Sequence, residues 1–376
     1  MRSRWKTSTL GATCEIYQPK TISAKEMVVD GAYTVFGANG VIGRHDKFNH
    51  EEPQLLITCR GATCGSVNIS EPRSWITGNA MVVRPNNDAI DVRFLEYLFR
   101  GGIDISNAIT GSAQPQITRT NLAPLKISYP SPAEQQRIVG ILDEAFDGIA
   151  TAKANAEKNL QNARALFESY LQYVFTNTDN IPTLPISALG KVFDGPHATP
   201  KTVDAGPIFL GIGALQDGQI NLNETRHVTP HDFRKWTRRV KPQAGDIVFS
   251  YETRLGQAAI IPDGLECCLG RRMGLVRLDR KRVDPRFFVY QYISPRFRDF
   301  LDKNTVRGAT VDRISLKEFP SFPISVPSLA EQQRVVERIE DLRADTQRLE
   351  LIYQRKLSAL DDLKKSLLHQ GFSGNL

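Results

Sequence analysis

The sequence predicts an α+β protein in which two α/β-mixed globular domains, related by a pseudo-twofold, are separated by two long coiled-coil helices. Three observations carry this. A stretch that opens PSPAEQQRIV at Pro130 returns as PSLAEQQRVV at Pro327, and the two copies run to Phe175 and Phe372 at a constant offset of 197 residues. Both copies hold apolar residues at a sustained spacing of about 3.5, the mark of a coiled-coil seam. The charge divides along the same boundaries: +3 over residues 1–130, −3 over 131–179, +7 over 180–326 and zero over 327–376.

Residues 1–130 form the first globular domain. Short β-branched and aromatic runs such as Leu55–Val67 read as strands, and Asp91–Arg100 as a short helix with Phe94, Tyr97 and Leu98 on one face. Residues 131–176 form the first long helix. Ser131 stands at an N-cap position with Glu134 three residues on, which is a capping box, and Pro132 suits the first helical position. The seam takes Ile138, Leu142, Ala145, Ile149, Ala152, Ala156, Asn159, Ala163, Leu166 and Tyr170.

Residues 177–326 comprise a linker (the polar, Pro-containing stretch to about Ser187) and the second globular domain. This domain repeats features of the first: Leu10-Gly11 and Leu189-Gly190, Met81 and Met273, Asp91–Tyr97 and Asp284–Tyr290, Gly111–Thr118 and Gly308–Ser315. Strands are expected at GPIFLGI and GDIVFS, a helix at Pro285–Ser294, and a small capped helix from Ser315 and Glu318. Residues 327–376 form the second long helix, capped by Ser328 and Glu331, with a seam of Val335, Ile339, Leu342, Thr346, Leu349, Tyr353, Lys356, Leu360, Leu363 and Leu367. The first seam is Ala-rich where the second is bulky, so the pair can approach closely. Asn159 and Lys356 are its polar breaks.

At 376 residues and 41% hydrophobic content the chain can bury more than one core. No apolar run reaches membrane-spanning length and no secretory leader is legible, so a cytoplasmic protein is expected. Five cysteines without a CxxC pair, and six histidines without metal-ligand spacing, point to reduced, mostly buried thiols and no metal site. The basic globular domains suit a polyanionic partner, and a two-fold particle with two basic heads suits duplex DNA.

The doubled P-S-x-A-E-Q-Q-R-[IV]-V, each copy ending a basic domain and opening a long helix, resembles the specificity subunit of type I restriction-modification enzymes over nearly the whole chain. The resemblance implies that residues 1–130 and 177–326 are target-recognition domains, each reading half of a bipartite DNA target. It implies that the two long coiled-coil helices pair antiparallel, fix the spacing and dock two methyltransferase subunits, with S-adenosylmethionine there and ATP/Mg in a motor/nuclease restriction subunit. The polar motif residues Glu134, Gln135, Arg137, Glu331, Gln332 and Arg334 are then candidates for partner contact. No catalytic residue or cofactor is expected in this chain: it lacks an N-P-P-[YFW] or D-P-P-Y methylase motif, and Gly190-Lys191 lacks the rest of a phosphate loop. Gly211–Gly213 is a glycine pair without the helix and acid of a cofactor site.

Candidate DNA contacts are polar and basic residues in loops near glycine. In the first domain they are Asn39, Arg44, His45, Lys47, Arg60, Gln114, Gln116 and Arg119. In the second they are Arg234, Lys235, Arg238, Arg239, Arg254, Arg271, Arg272, Arg307 and Arg313. Arg pairs bidentately with guanine and Gln with adenine, and cations hold phosphates. For any one of them the alternative is an ordinary solvated charge. The cluster at 233–241 is the strongest group, with Trp236 packing rather than stacking. Two other functions compete: a self-sufficient DNA methyltransferase, and a coiled-coil scaffold that binds DNA without sequence preference.

Overall fold

The computed structural model describes residues 5–111, 113–176, 181–308 and 311–376. Residues 177–180 of the expected linker, and Ser112 and residues 309–310 of the paired loops, lie outside it. The chain forms two compact units. One holds the first globular head, the start of the first long helix and the end of the second. The other holds the second head, the remainder of the first helix and the start of the second.

Each head carries a four-stranded antiparallel sheet with one strand order. In the first head this is Cys14–Tyr17, Ala80–Pro85, Leu55–Thr58, Val67–Ile69; in the second it is Gly190–Asp194, Met273–Leu278, Ile247–Ser250, Ala258–Ile260. A three-stranded sheet completes each head. It is built on Tyr33–Gly37 in the first and Val203–Leu210 in the second, each with one antiparallel and one parallel neighbour. The strands expected at GPIFLGI and GDIVFS are present, whereas the run expected as one strand at 55–67 is two antiparallel strands, Leu55–Thr58 and Val67–Ile69, joined by a loop. The two short helices are present as Val92–Tyr97 and Pro285–Ile293, N-capped by Asp91 and Asp284. The first continues as a π-helical turn at Leu98–Gly102, where a side chain at position 102 would lie 2.4 Å from the Phe372 ring.

The ladders correct two pairings drawn from sequence. Leu10 N donates to Leu125 O as Ile186 N donates to Phe322 O, which makes Ile186, not Leu189, the counterpart of Leu10. Val83 opposes Leu55 and Val276 opposes Ile247, which makes Ala80, not Met81, the counterpart of Met273. A slip of one residue reverses the faces of a strand, and Met81 and Met273 do point into different cores. Two further expectations change. Thr183–Pro185, assigned to the linker, is a strand paired with Pro323–Ser325, anchored by the buried Ile186. The segment after Ser315 is a turn followed by a 3₁₀ turn at Phe319–Ser321.

The long helices run Pro132–Thr176 and Leu329–Ser373. Within each unit their segments lie antiparallel. In the first unit Ile138 and Leu142 meet Gly371 near the end of the second helix, and Lys153 pairs with Asp361 at 2.7 Å. In the second, Arg164 pairs with Glu350 at 2.9 Å, and Arg343 lies over the Phe167 ring further along. Leu142, Ile149, Ala156 and Ala163 are buried at strict heptad spacing. The polar breaks are not in the seam: Asn159 and Lys356 are exposed, and the leucines beside them, Leu160 and Leu357, turn partly inward. Leu166, Leu349 and Leu363 are likewise 50%, 38% and 47% exposed, and Phe167 packs in place of Leu166.

The capping box forms only in the second copy. Ser328 donates through N and Oγ to Glu331 Oε2 at 3.0 and 2.6 Å. In the first copy Arg137 takes Glu134 by two hydrogen bonds, at 2.8 and 2.7 Å, and also donates to the Leu376 carbonyl.

Candidate nucleic-acid interface

In each head the loops leaving the central strands meet at one edge, held by backbone hydrogen bonds that are the same in both. In the first head Thr58 N donates to Ser66 O (2.9 Å), Cys59 N to Asn79 O (3.4 Å) and Ile117 N to Cys59 O (2.8 Å). In the second, Ser250 N donates to Gln257 O (3.0 Å), Tyr251 N to Arg272 O (3.2 Å) and Ile314 N to Tyr251 O (2.8 Å). A bridge between Arg60 and Gln116 corresponds to one between Glu252 and Arg313. Two loops from distant parts of each head are thus pinned to the end of one core strand.

The first head brings Arg60, Gln114, Gln116 and Arg119 to this edge, all exposed and with no side-chain hydrogen bond or ion pair among the described residues. Asn39 reaches the same edge but serves the fold. Its Oδ1 accepts from Thr58 Oγ1 at 2.9 Å and its amide donates to Thr63 Oγ1 at 2.7 Å, which fixes the turn before Gly40 at φ +116°. Arg44, His45 and Lys47 lie elsewhere. His45 opposes Tyr33 at the far end of the hairpin, roughly 15 Å from the Gly37–Gly40 turn at about 3.3 Å per residue. Arg44 is spent on the carbonyls of Gly31 and Ala32, and His45 packs edge-on against Trp75.

In the second head Arg271 and Arg272 line a cavity of about 400 Å³, together with Thr199, Gly211, Glu224 and Arg226. Arg271 is exposed and unpaired among the described residues, whereas Arg272, in the left-handed region at φ +73°, is paired with Glu252 at 2.9 Å. Arg254 is half-buried and donates to Gly213 O at 3.0 Å, so it props the 211–213 turn. Arg313 is exposed at the bridge. Arg307 forms an exposed ion pair with Asp302 at 2.9 Å.

The basic cluster sits on the helix Pro230–Trp236, capped by Thr229, and on the turn after it. Arg234, Lys235, Arg238 and Arg239 are exposed, and Trp236 packs, half-buried, under Lys235. Arg239 lies 3.7 Å from Asp194, which also holds His197 at 2.8 Å and accepts from the Tyr251 hydroxyl at 3.2 Å. Burial, with Asp194 beside it, pushes the Tyr251 hydroxyl well above the phenol range, so it stays a donor. That chain of contacts joins the cluster to the loop edge. Sequence reasoning missed Arg226, Asp194 and His197, which come from strands and loops remote in sequence from the arginines they meet.

Of the motif residues, Glu134, Arg137, Glu331 and Arg334 lie on the helix surface, the first pair and Glu331 in the contacts above. Gln135 and Gln332 are corrected: both are fully buried with their amides bonded, and no partner can reach them. Among the described residues no group of three potential ligands could hold a metal ion, and no helix is long and apolar enough to cross a membrane.

The sequence model described as the type I restriction modification DNA specificity domain matches residues 2–161 and 231–355. The chain therefore belongs to this family, the specificity subunits of type I restriction-modification enzymes, which are the non-catalytic component. It is similar to the EcoDI specificity subunit of Escherichia coli, 21% identical over 99% of this chain and 88% of that one. To the EcoBI specificity subunit of Escherichia coli it is 21% identical over 86% of this chain and 73% of that one. The fold is shared with the HsdS subunit of Thermoanaerobacter tengcongensis, with a TM-score of 0.60, 16% identity, and 100% and 98% of the two chains covered. It is shared also with a chain from a structure of type I restriction-modification complex assembly, with a TM-score of 0.74, 17% identity, and 100% and 99% covered.

Proposed function

We propose that each head reads one half of a bipartite duplex target through the loop edge described above. The long helices set the spacer and present two similar surfaces to two methyltransferase subunits. S-adenosylmethionine and ATP/Mg then belong to the methyltransferase and motor/nuclease subunits, not to this chain. The observation that carries the reading is the repeated backbone lattice: one scaffold, used twice, offers Arg60, Gln114, Gln116 and Arg119 in one head and Arg271 and Arg313 in the other. A duplicated reader with two different sets of side chains fits a target of two unlike halves.

Sequencing of methylated adenines in cells with and without the gene tests this. The expected result is a gapped motif that disappears with the gene. Replacing residues 190–326 by another such domain should rewrite one half of the motif and leave the other. A continuous motif, or the loss of both halves in a folded complex, would overturn the reading.

A further inference from the structure

The same glutamine of the duplicated motif does the same thing twice. Gln135 and Gln332 are each the fourth residue of a long helix and are 0% exposed. Gln135 Oε1 accepts from Asp91 N at 2.8 Å, and its amide nitrogen donates to Ala89 O at 2.8 Å and Pro130 O at 2.9 Å. Gln332 Oε1 accepts from Asp284 N at 2.8 Å, and its amide nitrogen donates to Arg282 O at 3.0 Å and Pro327 O at 2.9 Å. One acceptor and two donors are used in each, which fills the hydrogen-bonding capacity of the amide hydrogens.

The residues clasped are informative. Asp91 and Asp284 are the N-caps of the short head helices Val92–Tyr97 and Pro285–Ile293. Those helices place Phe94 and Leu95 in the buried cluster that holds Ile138 and Leu142, and Phe287 and Phe288 in the one that holds Val336 and Ile339. Apolar packing holds two surfaces together but tolerates small rotations, being non-directional. Three directional bonds from a single buried amide do not. The clasp sits where the chain leaves the head and enters the helix, so it fixes the angle of that head on that helix.

We infer that Gln135 and Gln332 are positioning residues for the spacing of the two half-sites, acting through the angle at which each head leaves its helix. This rests on the reading that the helices measure the gap. Loosening a clasp then broadens the set of spacers accepted while leaving the bases read in each half unchanged. A residue that only stabilised the fold would lower methylation at every spacer alike.

The test uses the full chain co-assembled with its methyltransferase subunits. The DNA is a set of duplexes carrying the two half-sites that the wild-type complex methylates, with spacers from two base pairs shorter to two longer. Gln332→Met keeps the length of the side chain and removes the three bonds. It is expected to raise methylation at the neighbouring spacers at least tenfold relative to the native one, with each half-site's base preference retained. Val248→Ala, a buried change in the sheet of the second head, serves as the control for lost stability and should keep the native spacer profile. An unchanged profile in folded Q332M would overturn the inference. Should Q332M fail to assemble, Gln332→Asn and Gln135→Met take its place, and failure of all three to fold would also overturn it, since the clasp would then hold the fold itself. Heptad insertion into both helices separates the premises: if it leaves the spacer unmoved, the helices are not the ruler, whatever the clasp does.

Discussion

Arg271 and Arg307 are indistinguishable as letters in a basic loop, yet their surroundings divide them. Arg271 is exposed, unpaired among the described residues and turned to the cavity beside Arg226, whereas Arg307 is engaged with Asp302. Loss of a bidentate base contact costs about 1–3 kcal/mol, so R271Q should weaken binding to the cognate duplex by about tenfold or more in a titration at fixed salt. R307Q should stay within about twofold of wild type in that titration. The thiols give a second prediction. Burial pushes Cys267 and Cys268 up to about 12 and Cys14 up to about 11. A thiol with such a value holds a negligible thiolate fraction at pH 8, and the thiolate is the reactive form. Mass spectrometry after iodoacetamide treatment should find these three unmodified in native protein and modified in denaturant. The cysteines' burial was legible from their spacing; the clasp was not. A glutamine at a helix start reads as solvated, because polar side chains are mostly exposed. The partners that bury Gln135, at Ala89 and Asp91, are over forty residues away.

At the scale of elements, the repeat located both long helices to within two residues of their observed starts, because a sustained period and a helix-start signal are local properties. The seam's interior was less legible. A step of four and three carried through the middle lands on Asn159, Lys356 and Leu166. The folded helices instead turn Leu160, Leu357 and Phe167 inward, since burying an unpaired amide or ammonium costs more than a slight rotation of the stripe. Phe167 packs edge-on to Tyr290, with ring centroids 6.5 Å apart, and lies under Arg343. Thermal or urea unfolding should therefore show F167A destabilised by about 2–4 kcal/mol, below the upper end for a fully buried ring. L166A should stay within about 0.5 kcal/mol of wild type, as exposed positions do. Equal losses in the two variants would restore the seam as read from sequence.

For the molecule as a whole, the doubled order of strands in the two heads was legible only in part. The sequence pairs Asp91 with Asp284 correctly, but it sets Leu10 against Leu189 where the fold sets it against Ile186, and slips by one residue at the methionines, which shows how weakly short elements fix register without their neighbours. If the paired helices measure the gap between half-sites, lengthening both must lengthen the gap. A heptad inserted after Leu160 and another after Leu357 keeps the buried stripe in phase. It adds about 10 Å of helix at ~1.5 Å per residue, which is about three base pairs at ~3.4 Å each. Methylated DNA from cells carrying this protein should show the same two half-sites with a gap longer by about that amount; a gap of unchanged length would refute the ruler.

The lattice beneath the two loop edges is built of main-chain groups, from Cys59 and Ile117 in one head to Tyr251 and Ile314 in the other. Main-chain bonds are indifferent to the letters they carry, so the platform survives almost any exchange of the side chains standing on it. If the loop edges read DNA as proposed, a gene of this design can drift at positions such as 60, 114, 116 and 119 and acquire a new preference without first passing through an unfolded ancestor. Its vocabulary is cheap to revise because its grammar is kept in the backbone.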